Sequence, residues 1–147
     1  MTAPIVIGPG GGEGAEVGPV RFAIKAGGDE TNGQYSLVEA SGPVSATAHI
    51  HHDREEAFFV VDGSITFLAG EERVEAGPGH FLLVPRGTMH GFRTNGESRL
   101  IIIHSPGGFE GFFRELGEAI RNGTFDNAFR DHLEETYALK YYDDITI

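Results

Sequence analysis

The sequence predicts a single all-β domain, a barrel or sandwich of short strands, with an irregular N-terminal arm and two C-terminal α-helices. Three observations predict it. Short runs rich in Val, Ile and Phe fill residues 20–105. Turn signals separate those runs every ~8–12 residues, the spacing of a sandwich or barrel. After Pro106 the apolar period changes from that of a strand to that of a helix. A length of 147 residues favours one domain.

Residues 1–19 begin with the apolar run Pro4-Ile5-Val6-Ile7, followed by a glycine-rich stretch from Gly8 to Gly18. This stretch resembles a phosphate loop only in its glycine content. It lacks the Gly-Lys-Ser/Thr ending, and no βαβ pattern follows. It is expected to form an irregular arm or surface loop. Residues 20–105 are expected to form the barrel, with strands near 20–25, 35–39, 44–51, 57–61, 65–68, 72–75, 80–84, 90–93 and 99–104. The turns between them include Asp62-Gly63 and Asn95-Gly96, dipeptides that two-residue hairpins prefer because Gly accepts a positive φ. Residues 106–147 are expected to be helices packed on the barrel. Phe109, Phe112, Phe113, Leu116 and Ile120 fall at helical spacing up to Asn122-Gly123, and Phe125, Phe129, Leu133 and Tyr137 are four residues apart.

Composition excludes several classes. Hydrophobic residues make up 39% and charged residues 22%, as in ordered globular chains. A net charge of −11 argues against nucleic acid and against an anionic membrane surface, since both need clustered Lys and Arg. The absence of cysteine removes disulfides, thiolate metal sites and a cysteine nucleophile. No apolar run is long enough for a transmembrane helix, and the N-terminus lacks the pattern of a secretory signal, so a cytoplasmic location is expected.

The chemistry is concentrated in two stretches. In His49-Ile50-His51-His52-Asp53-Arg54-Glu55-Glu56, His49 and His51 lie two apart on a strand and share a face. Glu56 begins the returning strand and can lie beside them. In Val84-Pro85-Arg86-Gly87-Thr88-Met89-His90, the Pro-Gly turn re-aims the chain just before His90. Three imidazoles and a carboxylate inside an apolar barrel are costly unless paired or metal-bound. Such an N3O set suits one divalent transition metal among Fe, Mn, Co, Ni, Cu and Zn. It leaves room for substrate, water or O2.

These stretches resemble the two motifs of the cupin superfamily. His49-x-His51-x4-Glu56-x6-Gly63 is similar to the first motif from its His-x-His onward, and Gly79-x5-Pro85-x-Gly87-x2-His90 to the second. The first motif's leading glycine is one place early, at Gly42. The second motif's terminal asparagine is one place late, at Asn95. The segments HIHHDREEAFFVVDG, VPRGTMHGFR and SPGGFEGFF are similar to small bacterial cupins of the quercetin 2,3-dioxygenase-like group. The resemblance implies a jelly-roll (double-stranded β-helix) barrel and metal ligands at His49, His51, Glu56 and His90. It also implies a homodimer by analogy.

Other residues are weighed by strand parity. Ser45 and Thr47 share the face of His49, Phe58 and Val60 that of Glu56, and Phe92 that of His90. Thr47, Phe58 and Phe92 are therefore candidates for a substrate pocket. Met89 either flanks the metal or fills space. His104 ends the last strand, where it contacts substrate or serves as a plain rim residue. Phe109 and Phe113 either cap the mouth or staple a helix over the barrel. His52 is expected to face solvent or sit behind the ligands. His80, His132 and Glu55 are expected to have no role in the site.

The resemblance implies a metal-dependent dioxygenase of quercetinase type, acting on a small aromatic or enolisable substrate with O2. Glu56 would then also be the catalytic proton shuttle. The alternatives are an isomerase, cyclase or decarboxylase in a biosynthetic pathway, and a non-catalytic small-molecule-binding cupin.

Overall fold

Turn residues cut the chain into short antiparallel strands, and their alternation then assigns each strand an inner and an outer face. The computed structural model describes residues 3–147. Its elements are β1 (Glu13–Val17), β2 (Val20–Ala26), β3 (Ser36–Gly42), β4 (Ser45–His51), β5 (Glu55–Asp62), β6 (Ile65–Ala69), β7 (Glu72–Ala76), β8 (Phe81–Val84), β9 (His90–Thr94), β10 (Ser98–Ser105), α1 (Glu110–Asn122), α2 (Asn127–Thr136) and β11 (Leu139–Tyr141). A six-stranded sheet runs in the order β1-β2-β3-β10-β5-β8, and a five-stranded sheet in the order β11-β4-β9-β6-β7. The fold is the cupin jelly roll, with the two sheets facing one another across an apolar core.

Strand alternation builds that core. Along β10, Ser98, Leu100, Ile102 and His104 are buried while their neighbours are half-exposed. Phe58 and Val60 of β5 point inward beside them and are fully buried. Phe58 packs against Phe67 and Phe92 from the opposite sheet, with ring centroids 5.1 and 5.3 Å away.

The structure corrects two expectations about the ends of the barrel. The expected irregular arm is partly strand, because β1 pairs with β2 from Glu13↔Ile24 to Val17↔Val20. Of its five residues only Ala15 is buried, so it shows little apolar alternation. The expected helical tail contains β11, whose Leu139, Lys140 and Tyr141 pair with His51, Ile50 and His49. Three residues are too few to display any period.

The helices form where their spacing predicts, and local chemistry sets their ends. Asp126 caps α2, its carboxylate accepting from Phe129 N at 2.7 Å. Gly123 closes α1 in the left-handed region at φ 68°, where a side chain is disfavoured. Glu110 lies buried at the start of α1 and accepts from Gly28 N at 2.7 Å and Gly108 N at 2.8 Å. The bond from Gly28 ties α1 to the loop between β2 and β3. No helix among the described residues is long and apolar enough to cross a membrane.

Phe58 belongs to the packed core between the sheets, so Phe58→Ala is expected to destabilise the fold by ~3–5 kcal/mol in urea denaturation. A loss below ~1 kcal/mol would contradict this placement.

Candidate metal centre

Two corners of the chain build the site, and both are places where it changes sheet. At 52–54 the backbone leaves β4 in the five-stranded sheet and enters β5 in the six-stranded one. At 85–89 it crosses back from β8 to β9. Gly87 takes φ 77° in this second corner, and its N–H donates to His51 O at 2.9 Å, which joins the two corners directly. The crossings set up two facing cross-strand pairs. His49 lies opposite His90 in the β4–β9 ladder, and Glu56 lies opposite His104 in the β5–β10 ladder.

The four side chains His49, His51, Glu56 and His90 are buried, and one ligand atom from each lies within 4.8 Å of the others. His51 Nε2 is 2.7 Å from Glu56 Oε2 and 3.2 Å from His49 Nε2. His90 Nε2 lies 3.4 Å from the same carboxylate oxygen. On their far sides, His49 Nδ1 meets Thr47 O at 2.6 Å and His90 Nδ1 meets Thr88 O at 2.9 Å. A carbonyl can only accept, so each Nδ1 carries its proton and each Nε2 can aim a lone pair at the centre. Two ring nitrogens facing one another at 3.2 Å beside a carboxylate is the arrangement a cation would satisfy. The donor set therefore fits a divalent metal held by His49, His51, Glu56 and His90.

The electrostatics agree. Burial pushes His49 down to about 3, helped by the neighbouring His90, so its ring is neutral at physiological pH. Burial also lowers His51. Burial raises Glu56, but the charge of and hydrogen bond from His104, with bonds from His51 and His90, outweigh it and hold the carboxyl well below its usual range. Burial pulls His90 down, but the hydrogen bond to Glu56 and its negative charge prevail and hold His90 above its ordinary value.

A cavity of about 460 Å³ opens above these groups, lined by His49, His51, Glu56 and a set of phenylalanines. Of the candidate pocket residues, Thr47, Phe92, His104, Phe109 and Phe113 line it. Phe58 and Met89 do not. Phe58 sits beneath the site, its ring 6.2 Å from that of His90. Met89 is half-buried outside the cavity, its carbonyl accepting from Gly70 N at 2.7 Å. His52 and Glu55 are exposed, and His80 turns away to the Gly77 corner. His132 pairs with Glu115 on the helix surface.

His104 is not a rim residue. It is fully buried, with Nε2 2.9 Å from Glu56 Oε2 and its ring 4.2 Å from that of Phe109. Its Nε2–H donates to the carboxylate, while its buried Nδ1 has no hydrogen-bond partner. It acts by holding Glu56. The alternation of β10, inward at Leu100 and Ile102, carries the signal for this. Two further residues have no such signal. Arg54 is buried in the first corner with its guanidinium 5.4 Å from the Phe109 ring. Tyr141 is placed beside His49 by β11.

Metal affinity should depend on pH in a defined direction, because a ligand imidazole must lose its proton to bind. His90 holds that proton above the usual histidine value of ~6.5, so apparent affinity should rise with pH through and above this value. It should flatten once His90 is neutral. Competition titration against a chelator measures this, and His90→Gln should remove the step and weaken binding. Affinity that stays constant from about pH 6 to pH 9 would exclude His90 as a ligand.

Comparison with known proteins places this geometry. The cupin domain family matches residues 37–105. The chain is 30% identical over 127 residues to quercetin 2,3-dioxygenase of Bacillus subtilis, a match covering 84% of this chain and 38% of that protein. The chain thus spans well under half the length of that relative. An RmlC-like cupin from Shewanella frigidimarina superposes with a TM-score of 0.63 at 18% identity, covering 76% of this chain and 96% of that one. KdgF from Halomonas sp. gives 0.59 at 21%, covering 67% and 90%. A Streptomyces protein solved with uridine gives 0.59 at 16%, covering 75% and 88%. At these identities the solved structures speak for the fold alone. Residues 37–105, which contain both sheet-crossing corners, are similar in sequence to the cupin domain family, and the chain shares the cupin fold with these solved structures.

Proposed function

We propose that this cupin is a mononuclear metal-dependent dioxygenase of quercetinase type, acting on a small aromatic or enolisable molecule with O2 as co-substrate. The observation that carries this reading is the His49–His51–Glu56–His90 cluster at the floor of a phenylalanine-lined cavity of about 460 Å³. A cavity of that size and lining suits a flat, largely apolar guest that presents one polar edge. The similarity to quercetin 2,3-dioxygenase supports the same class. A bound divalent metal would supply Lewis acidity, lowering the pKa of a substrate hydroxyl.

The chain's own residues supply the rest. Glu56 is held ionised, so its carboxylate can accept the proton of an incoming hydroxyl. His104 fixes the orientation of that carboxylate through Oε2. Phe109 packs edge-on to His51 at 4.8 Å and, with Phe112 and Phe113, excludes water above the cluster. An ionised, oriented base beside a Lewis-acid site also serves an isomerase, cyclase or lyase, so the co-substrate is the point to test.

Protein reconstituted separately with Fe, Mn, Co and Ni is expected to consume O2 with a flavonol or catechol. Glu56→Gln, compared at equal metal content, should lower the rate by about 10²–10⁴-fold. Turnover under strict anaerobiosis would favour the isomerase or lyase reading. Absence of O2 uptake with every such substrate would exclude the dioxygenase.

We also infer that the chain forms a homodimer through the outer face of the six-stranded sheet. Leu37 on β3 pairs with Ile103, and Ile101 on β10 pairs with Phe59, which in turn pairs with Phe81. Leu83 stands opposite Ala57 one step along. Phe81 is 61% exposed, Leu83 54% and Phe59 43%, so these residues form one continuous apolar face. On a chain of net charge −11, the Phe59, Phe81 and Leu83 part of this face carries no charge and Glu39 beside Ile101 is paired with Arg99, so two copies can approach here with little repulsion. Sedimentation should show a dimer at micromolar concentration, and Phe81→Asp combined with Leu83→Asp should yield a folded monomer. A monomeric parent protein would exclude this interface.

A further inference from the structure

The barrel alone does not close the cavity. Its outer wall comes from the segment beyond the matched residues 37–105: Phe113 on α1, Arg130 on α2, Tyr141 on β11, and Asp143 after it. Within that wall Tyr141 has a defined relation to the metal-binding cluster. It lies opposite His49 in the β11–β4 ladder, and the two ring centroids are 6.0 Å apart. The guanidinium of Arg130 covers the Tyr141 ring at 4.4 Å. Arg130 is itself held by two bonds to Asp143, at 2.7 and 2.6 Å. The ring is thus fixed by three elements: β4 beside it, α2 over its face, and the tail that follows β11.

The hydroxyl of Tyr141 is free to act. Tyr137 donates its hydroxyl to Glu115, a contact between the two helices outside the cavity. Tyr141 forms no side-chain hydrogen bond among the described residues, and it lines the cavity. A phenol is an O–H donor at neutral pH, its ordinary pKa being ~10. His104, the other buried donor beside the cluster, is already committed to Glu56.

We propose that Tyr141 is a catalytic residue of this site, its hydroxyl donating a hydrogen bond to the substrate oxygen that faces the His49–His51–Glu56–His90 cluster. Arg130 is a positioning residue that fixes the Tyr141 ring from its outer face. The inference rests on the metal-dependent reading above and narrows its substrate class. The substrate must present an oxygen at the cluster that gains negative charge, a phenolate or enolate, because a protonated donor stabilises that form over the neutral one.

Nitrocatechol binding to the zinc-loaded protein tests this without turnover, since zinc has no redox chemistry and the probe's visible absorption reports its ionisation. Parent, Tyr141→Phe, Arg130→Met and Tyr137→Phe proteins are compared at equal metal content and after a check of thermal unfolding. Tyr141→Phe should weaken binding about tenfold, the worth of one hydrogen bond, and should raise the pH at which the bound probe ionises. A merely structural role would leave that ionisation pH unmoved. Arg130→Met should shift both quantities in the same direction by less, and Tyr137→Phe should shift neither. Unchanged affinity and ionisation in Tyr141→Phe would overturn the assignment of Tyr141 alone. A parent protein that gives no metal-dependent spectrum with the probe would overturn the functional reading together with it.

Discussion

Glu56 is a carboxylate buried between two apolar sheets, and an unpaired charge there would cost several kcal/mol. Nε2 atoms from three strands close around it: His51 from β4, His90 from β9 and His104 from β10. Those strands belong to both sheets, so the charge that must be neutralised also ties the sheets together at one end of the barrel. The rest of the molecule is arranged to make this possible. The corner at 52–54 carries the chain from the histidines to the glutamate, and the corner at 85–89 brings it back to His90. Gly87 bonding to His51 O locks one corner to the other.

The barrel and the segment that follows it have different tasks. The barrel supplies the ligands and, through Phe58 and Phe67, the packed layer that makes their positions rigid. The following segment supplies the roof. Phe109 touches His51 and His104 directly, and Arg54 in the first corner lies across its ring. This roof lies outside residues 37–105, whereas the four candidate ligands lie within them.

The cluster of four candidate ligands was legible in the sequence because it is written at short range. His49 and His51 are two apart on one strand, Glu56 opens the next, and Pro85-Arg86-Gly87 announces a turn three residues before His90. Strand parity made Thr47 and Phe92 candidates for a pocket, helical spacing left Phe109 and Phe113 as either cap or staple, and all four line the cavity. Parity did not separate Phe58, which shares the face of Glu56 yet lies a layer below the cavity. A face is a direction, and depth along it depends on the opposite sheet. Met89 went the same way, since the last residues of a sheet-crossing corner obey no alternation.

By itself, then, the sequence determined the fold class, the two corners and the four residues that can hold a metal, because each follows from spacing of a few residues. Only the tertiary structure decided that His104 carries Glu56, that Arg54 is buried against Phe109, and that Tyr141 stands beside His49 under the cover of Arg130. These contacts join residues 48 and 92 positions apart in the cases of His104–Glu56 and Tyr141–His49 (104 − 56 and 141 − 49). No local period spans such distances. The β5–β10 ladder makes the first, and the second is made when β11, a three-residue strand too short to show any pattern, pairs with β4 and brings the far end of the chain beside His49.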